Sequence, residues 1–296
     1  MLKLAVPRRP SSGDAALIIR RLILSLGVAL LCAASARAES PQRVTFAGAG
    51  VTLEGWLYGA GGEGRHPAIV ALHGCAGLED KNGAPSARHD DWGQRLSARG
   101  YVVLFPDSFA SRGLGPQCKN EDRELSPGRE RVADAAAALR FLTARPDVDA
   151  KAISLLGWSN GGSAALYAVE PKNAPKDVDF ARAIAFYPGC RLPLESGRWS
   201  ARLPLLVLIG AADDWTPAAP CQKLIDQARA AGENVDIIVY PAAYHDFDHP
   251  DLRVHKVKGL AFTGSGSNSA HTGTNPEARE DAIKRVEAFL GGSQGR

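Results

Sequence analysis

The sequence contains no Cys-x-x-Cys pair, which argues against a zinc site. It has no internal repeat, and no linker divides it after its N-terminal segment, so solenoid and multidomain arrangements give way to one large domain. It also lacks an apolar run of membrane-spanning length. The ten-residue run at 22–31 falls well short of the ~20 residues a transmembrane helix needs. Nor does it carry a strong charge bias. The formal net charge of +3 over 296 residues is concentrated at the N-terminus. Residues 1–38 hold six of the 35 Lys/Arg and one of the 32 Asp/Glu; without them the balance is 29 bases to 31 acids, a net of −2. Such a surface excludes partners chosen by bulk positive charge, nucleic acid and anionic membrane alike.

What is present at the N-terminus reads as an address. Arg20 and Arg21 precede the apolar run at 22–31, and Ala36-Arg37-Ala38 follows as a small-residue cleavage site. The expected product is a mature domain at 39–296, periplasmic or secreted, with no stable membrane association. The twin arginines hint at the folded-protein export route, while bulky Leu31 before Cys32 argues against lipoprotein processing. Four cysteines remain after cleavage: Cys75, Cys118, Cys190 and Cys221. An even count in an exported chain predicts disulfides, with three possible connectivities. Cys190–Cys221 is favoured because each follows a predicted strand and would lie at the same sheet edge; Cys75–Cys118 is then left by elimination.

Apolar runs of buried-strand length at 68–72, 101–105, 153–158, 182–186, 204–209 and 235–240 alternate with helical patterns at 86–98, 129–144, 219–231 and 276–290. The first helical pattern places Trp92 and Leu96 on one face, and the second Val132, Ala136, Leu139 and Leu142. Two further short strands, 43–46 and 51–58, form a hairpin-like entry, and 259–275 reads as a long irregular loop. Strands apolar throughout, interleaved with helices, predict an α/β fold: a mostly parallel central sheet with helices on both faces.

The centre of this pattern is Gly157-Trp158-Ser159-Asn160-Gly161-Gly162. An apolar run into Gly-x-Ser-x-Gly, with small residues after it, predicts a strand, a sharp turn and a helix with Ser159 at the apex. A serine hydroxyl needs a base, and the base an orienter. Ligands of a parallel sheet gather beyond the strands' carboxyl ends, so partners are sought in the loops that follow strands. Asp213 and His245 stand in two such loops and give the order Ser159, Asp213, His245, that of an α/β-hydrolase triad. Asp214 competes with Asp213, which is favoured by its spacing between Gly210 and Pro217. His271 is the reserve base; His249 and His255 read as solvated, and His66 as lying in an exposed turn. An oxyanion hole requires two backbone N–H groups, expected from Asn160 after the nucleophile and from Cys75 in the loop after strand 68–72. Trp158, Trp215 and Phe109 are apolar pocket-wall candidates or else core residues. The loops 107–127, 191–202 and 259–275 would shape the pocket.

The segments Gly-Trp-Ser-Asn-Gly-Gly around Ser159, Gly-x-x-Asp-x-x-x-Pro around Asp213 and Tyr-Pro-Ala-Ala-Tyr-His-Asp-Phe around His245 resemble the dienelactone hydrolase family of α/β-hydrolases. The resemblance runs from about Val51 to Leu290. Dienelactone hydrolase itself uses a cysteine nucleophile where this chain has Ser159, so the resemblance implies a serine esterase or lactone hydrolase. Its substrate would be a small-molecule ester or lactone, and neither a metal nor an organic cofactor would be needed. A peptidase or acyl-peptide hydrolase is the rival within enzymes. A catalytically silent hydrolase fold used for binding is the rival outside them.

Overall fold

The structure, a computed structural model, describes residues 40–292. The expected signal segment, its cleavage site and Cys32 lie outside the described residues. Strands β1 (Gln42–Ala47) and β2 (Thr52–Tyr58) form the antiparallel entry hairpin. Next come β3 (His66–Leu72), β4 (Val102–Asp107), β5 (Val148–Trp158), β6 (Arg182–Phe186), β7 (Leu205–Gly210) and β8 (Val235–Tyr240). The sheet runs in the order β1-β2-β4-β3-β5-β6-β7-β8. It is antiparallel at β1–β2 and β2–β4 and parallel from β4 to β8. Every residue of β4 and β7 is buried, as apolar strands covered on both faces should be.

The helices are α1 (Ala87–Ala98), α2 (Glu130–Thr143), α3 (Asn160–Ala168), the short α4 (Arg191–Glu195), α5 (Ala218–Ala230) and α6 (Pro276–Gly291). In α1, Trp92 and Leu96 are buried as their spacing predicts. In α2 the stripe is rotated from expectation. Ala135, Ala138, Leu139 and Leu142 are buried, Val132 and Ala136 only half so, and Arg131 takes the buried place at the start of the stripe. Among the described residues no helix is long and apolar enough to cross a membrane.

Three expectations are corrected. His66 is not in an exposed turn but half-buried as the first residue of β3. The stretch 191–202 opens with the helix α4. The stretch 259–275 is only partly irregular: β10 (Ser269–Thr272) pairs antiparallel with β9 (His255–Lys258). These strands are four residues each and mostly polar, with one side in water, so they carry no apolar alternation to betray them. Both expected disulfides are present, Cys75–Cys118 and Cys190–Cys221, with Cα separations of 4.9 and 5.0 Å.

Because β3, β5, β7 and β8 are parallel, the loops after them open at one end of the sheet. Those loops hold residues 73–77, 159, 211–217 and 241–247, and the candidate site is built there.

Candidate active site

At the end of β5 the chain turns at Ser159 with φ 52° and ψ −112°, a conformation that costs a non-glycine residue of order 1–3 kcal/mol. The turn is held by Ser159 N–H donating to Phe186 O (2.9 Å) and by Ser163 N–H donating to Ser159 O (2.8 Å). The flanking glycines are required by close approach. A Cβ on Gly157 would lie 2.2 Å from Gly161 O, and one on Gly161 would lie 2.0 Å from Leu72 O. Strand, helix and neighbouring strand end therefore meet backbone to backbone, and the serine is presented at their junction.

The structure brings Ser159, His245 and Asp213 into one hydrogen-bonded row. His245 Nε2 lies 2.9 Å from Ser159 Oγ, and His245 Nδ1 lies 2.8 Å from Asp213 Oδ2. With Nδ1–H donating to the carboxylate, Nε2 is left free to accept the serine proton. Asp213 Oδ1 accepts from the N–H groups of Trp215 (2.9 Å) and Thr216 (2.8 Å), so the carboxylate cannot swing away. Burial alone would depress the His245 imidazole. The charge and hydrogen bond of Asp213, with Asp246 beyond, outweigh it and leave its pKa above the usual histidine value.

Asp214 and His271 pair with each other instead. Asp214 accepts from His271 N–H (2.7 Å) and faces its Nδ1 (2.8 Å), which moors β10 to the acid-bearing loop. His249 is half-buried, its Nδ1 accepting from Asp251 N–H, and His255 is exposed on β9.

Behind the base lies a polar network the sequence does not announce. Arg88, buried on α1, donates to Asp246 and to Tyr187 Oη (3.0 Å). Asp246 also accepts from the Thr272 hydroxyl at 2.6 Å. Although burial pushes the Asp246 carboxyl up, the Arg88 charge holds it well below the usual carboxylate range. Asp248, with no exposed surface, accepts from Tyr187 Oη (2.6 Å), Trp92 Nε1 (2.8 Å) and Trp158 Nε1 (2.8 Å). The segment 245–248 thus carries His245 on one residue and anchors itself to α1, to β5 and to Tyr187 just after β6 through the residues after it.

Trp158 is accordingly not a pocket wall. It is fully buried, stacked between Phe105 and Phe186 with ring centroids 6.1 and 5.8 Å away. Phe109 is also core, buried edge-on against His73 (4.7 Å). Trp215 does line the site: it is half-buried, with its ring 4.7 Å from that of His245.

The segments that carry the two expected N–H donors flank Ser159. A Cβ on Gly74 would sit 3.5 Å from Ser159 Cβ, so this loop's backbone touches the serine. Among the described residues, neither Cys75 N–H nor Asn160 N–H has an acceptor within the protein. Cys75 is held by its disulfide to Cys118, and its carbonyl accepts from Gln117 N–H at 2.7 Å. The loop between β9 and β10 reaches both walls, Ala261 N–H donating to Cys118 O and Gly264 N–H to Trp215 O, each at 3.0 Å. Among the described residues no cluster of His, Cys, Asp and Glu is placed to hold a metal ion.

The family model of the dienelactone hydrolase family matches residues 53–293. The chain belongs to that family. It is a hydrolase-family protein in which serine stands at the apex of the elbow. A protein of Methylorubrum extorquens, provisionally named a carboxymethylenebutenolidase, is 28% identical over 169 residues, covering 54% of this chain. The chain spans only 58% of that relative's length. Among solved structures, a thermophilic esterase from Thermogutta terrifontis with propionate bound is similar at a TM-score of 0.58 and 18% identity. That match covers 84% of this chain and 93% of the esterase. An acylaminoacyl peptidase is similar at a TM-score of 0.61 and 17% identity, covering 86% of this chain but 41% of the peptidase. At such identities the likeness concerns the fold.

Proposed function

We propose that this protein is an exported serine hydrolase that cleaves a carboxylic ester or lactone through an acyl-enzyme on Ser159. The observation that carries the assignment is the row Ser159 Oγ, His245 Nε2, His245 Nδ1 and Asp213 Oδ2, with gaps of 2.9 and 2.8 Å. Ser159 Oγ attacks the carbonyl carbon as His245 Nε2 takes its proton. Asp213 holds the ring in the productive tautomer and stabilises the imidazolium that forms. The negative oxygen of the tetrahedral intermediate is received by the N–H groups of Cys75 and Asn160. Collapse expels the alcohol, which His245 protonates; a water activated by the same nitrogen then releases the acid. In a lactone the alcohol freed by ring opening stays tethered to the acyl group, and the second step releases a single hydroxy acid. Two disulfides and the expected signal segment support an oxidising compartment outside the cytoplasm.

The test is labelling of the mature protein with a fluorophosphonate, beside Ser159→Ala and His245→Ala, followed by a panel of short acyl esters, lactones and aminoacyl amides. Labelling of wild type alone is the expected outcome. A folded wild type that fails to label overturns the assignment in favour of the silent, binding fold. Turnover of amides but not esters would transfer it to the peptidases.

A further inference from the structure

Arg131 is a fully buried cation that the mechanism above does not use. Its nearest helical carboxylate, Asp134, is already held bidentately by Arg112, at 2.8 and 2.9 Å. Arg131 itself bonds to two neutral oxygens through Nη1, His73 O at 2.8 Å and Asn160 Oδ1 at 2.7 Å. Its Nε and Nη2 are buried without partners, and the guanidinium lies over the Phe109 ring at 5.2 Å. Burial pulls this side chain down to about 10, against the upward pull of Asp134 and Asp107, so it remains charged at neutral pH. A desolvated guanidinium with no carboxylate of its own, beside the positive end of α3, is a poor stabilising device.

Its two partners give it a different meaning. Asn160 supplies one N–H of the proposed oxyanion hole, and His73 begins the loop that supplies the other. The peptide joining Gly74 to Cys75 is trans, so its carbonyl and its N–H point in opposite directions. The carbonyl of that peptide is fixed, since His73 Nδ1–H donates to Gly74 O at 2.8 Å. His73 is neutral, held so by burial and the Arg131 charge, so its Nε2 can accept from Ser108 N–H at 3.2 Å and its one ring proton sits on Nδ1. Arg131 fixes the preceding peptide by its carbonyl and the elbow by the Asn160 side chain. One guanidinium therefore ties together the two segments that carry the proposed donors, while His73 fixes the peptide that bears the Cys75 N–H.

We infer that Arg131 is the positioning residue of the oxyanion hole, clamping its two halves together and adding a buried positive charge behind them. This rests on the hydrolase assignment above. The experiment compares wild type with Arg131→Gln, Arg131→Lys and Asn160→Ala. It measures kcat and KM on a short p-nitrophenyl ester, inhibition by a trifluoromethyl ketone that mimics the tetrahedral adduct, and thermal unfolding. Loss of an oxyanion-hole donor costs about 10²–10³ in kcat. Arg131→Gln is expected to approach that loss with KM within about twofold. Ketone affinity should fall in step, and Arg131→Lys should recover part of both. Asn160→Ala keeps its backbone N–H, loses one of the two ties, and should lose about tenfold in kcat, part of that full effect. If Arg131→Gln fails to fold, the Lys and Ala variants carry the test alone. Folded variants whose kcat and ketone affinity stay within threefold of wild type overturn the inference. A wild type that does not label with fluorophosphonate overturns the hydrolase assignment instead.

Discussion

Replacing Asp248 by alanine strands three buried donors at once: Trp92 Nε1, Trp158 Nε1 and Tyr187 Oη. An unsatisfied buried donor costs about 1–3 kcal/mol, so the additive ceiling is about 9 kcal/mol. The three share one carboxylate and are not independent. A water in the vacated space would accept at most two of the three bonds. A loss of roughly 3–5 kcal/mol is therefore expected, the range for removing one member of a buried charged network. Against the usual total of about 5–15 kcal/mol, that leaves a marginal fold. Asparagine at the same position should cost less. Its oxygen serves both indoles while its amide donates to the Tyr187 oxygen beside the bond from Arg88, so only the phenol proton is stranded, at about 1–3 kcal/mol. The assay is equilibrium urea unfolding with disulfides intact, comparing midpoints at constant slope. Asp248→Ala within 1 kcal/mol of wild type, or Asp248→Asn the more damaged of the two, would refute this account of the network.

Three further outcomes follow from the site. Since neutral His245 is the active form in the proposed mechanism and its pKa is raised, kcat/KM should rise with pH along an acid limb centred above 6.5. Asp213→Asn should move that limb downward and lower kcat by about 10⁴; a limb left in place would contradict the assigned cause. Asp214→Asn should leave kcat within about threefold, because its half-exposed pair with His271 is worth only ~0–1 kcal/mol; a loss as large as that of Asp213→Asn would exchange their roles. Cys118→Ser should lower stability by about 2–4 kcal/mol in calorimetry and lower kcat as well, if Cys75 carries the proposed oxyanion donor; a stability loss with kcat intact would show the bridge to be structural alone.

The parts of the molecule legible in the sequence are those governed by local chemistry. The elbow was legible because Gly157 and Gly161 have no alternative at carbonyl distances of 2.2 and 2.0 Å. Asp213 and His245 were legible because a parallel sheet leaves functional groups few places but the loops after its strands. The direction of Trp158 was not, since a strand buried on both faces carries no alternation to say which face a residue joins. Arg88, Arg131, Asp246 and Asp248 were hidden for the opposite reason. On helices and loops, charged residues read as solvated, and only tertiary packing shows them to be buried. The rotated stripe of α2 shows this most directly, with Arg131 standing where the pattern calls for an apolar residue.

Trp215 gives the molecule an optical property. Its indole lies 4.7 Å from the imidazole of His245, tilted by 35°. A protonated imidazole in contact with an indole quenches its emission far more than a neutral one. Of the five tryptophans in the sequence, Trp92 and Trp158 are sealed in the core with their indole N–H groups on Asp248, Trp56 Nε1 donates to Glu79 and Trp199 Nε1 to Leu166 O, while Trp215 is the one whose ring faces His245. The resting protein therefore holds a luminescent indicator beside its own base. A change in the charge on His245 should therefore register in the emission of Trp215, with no substrate bound and no turnover.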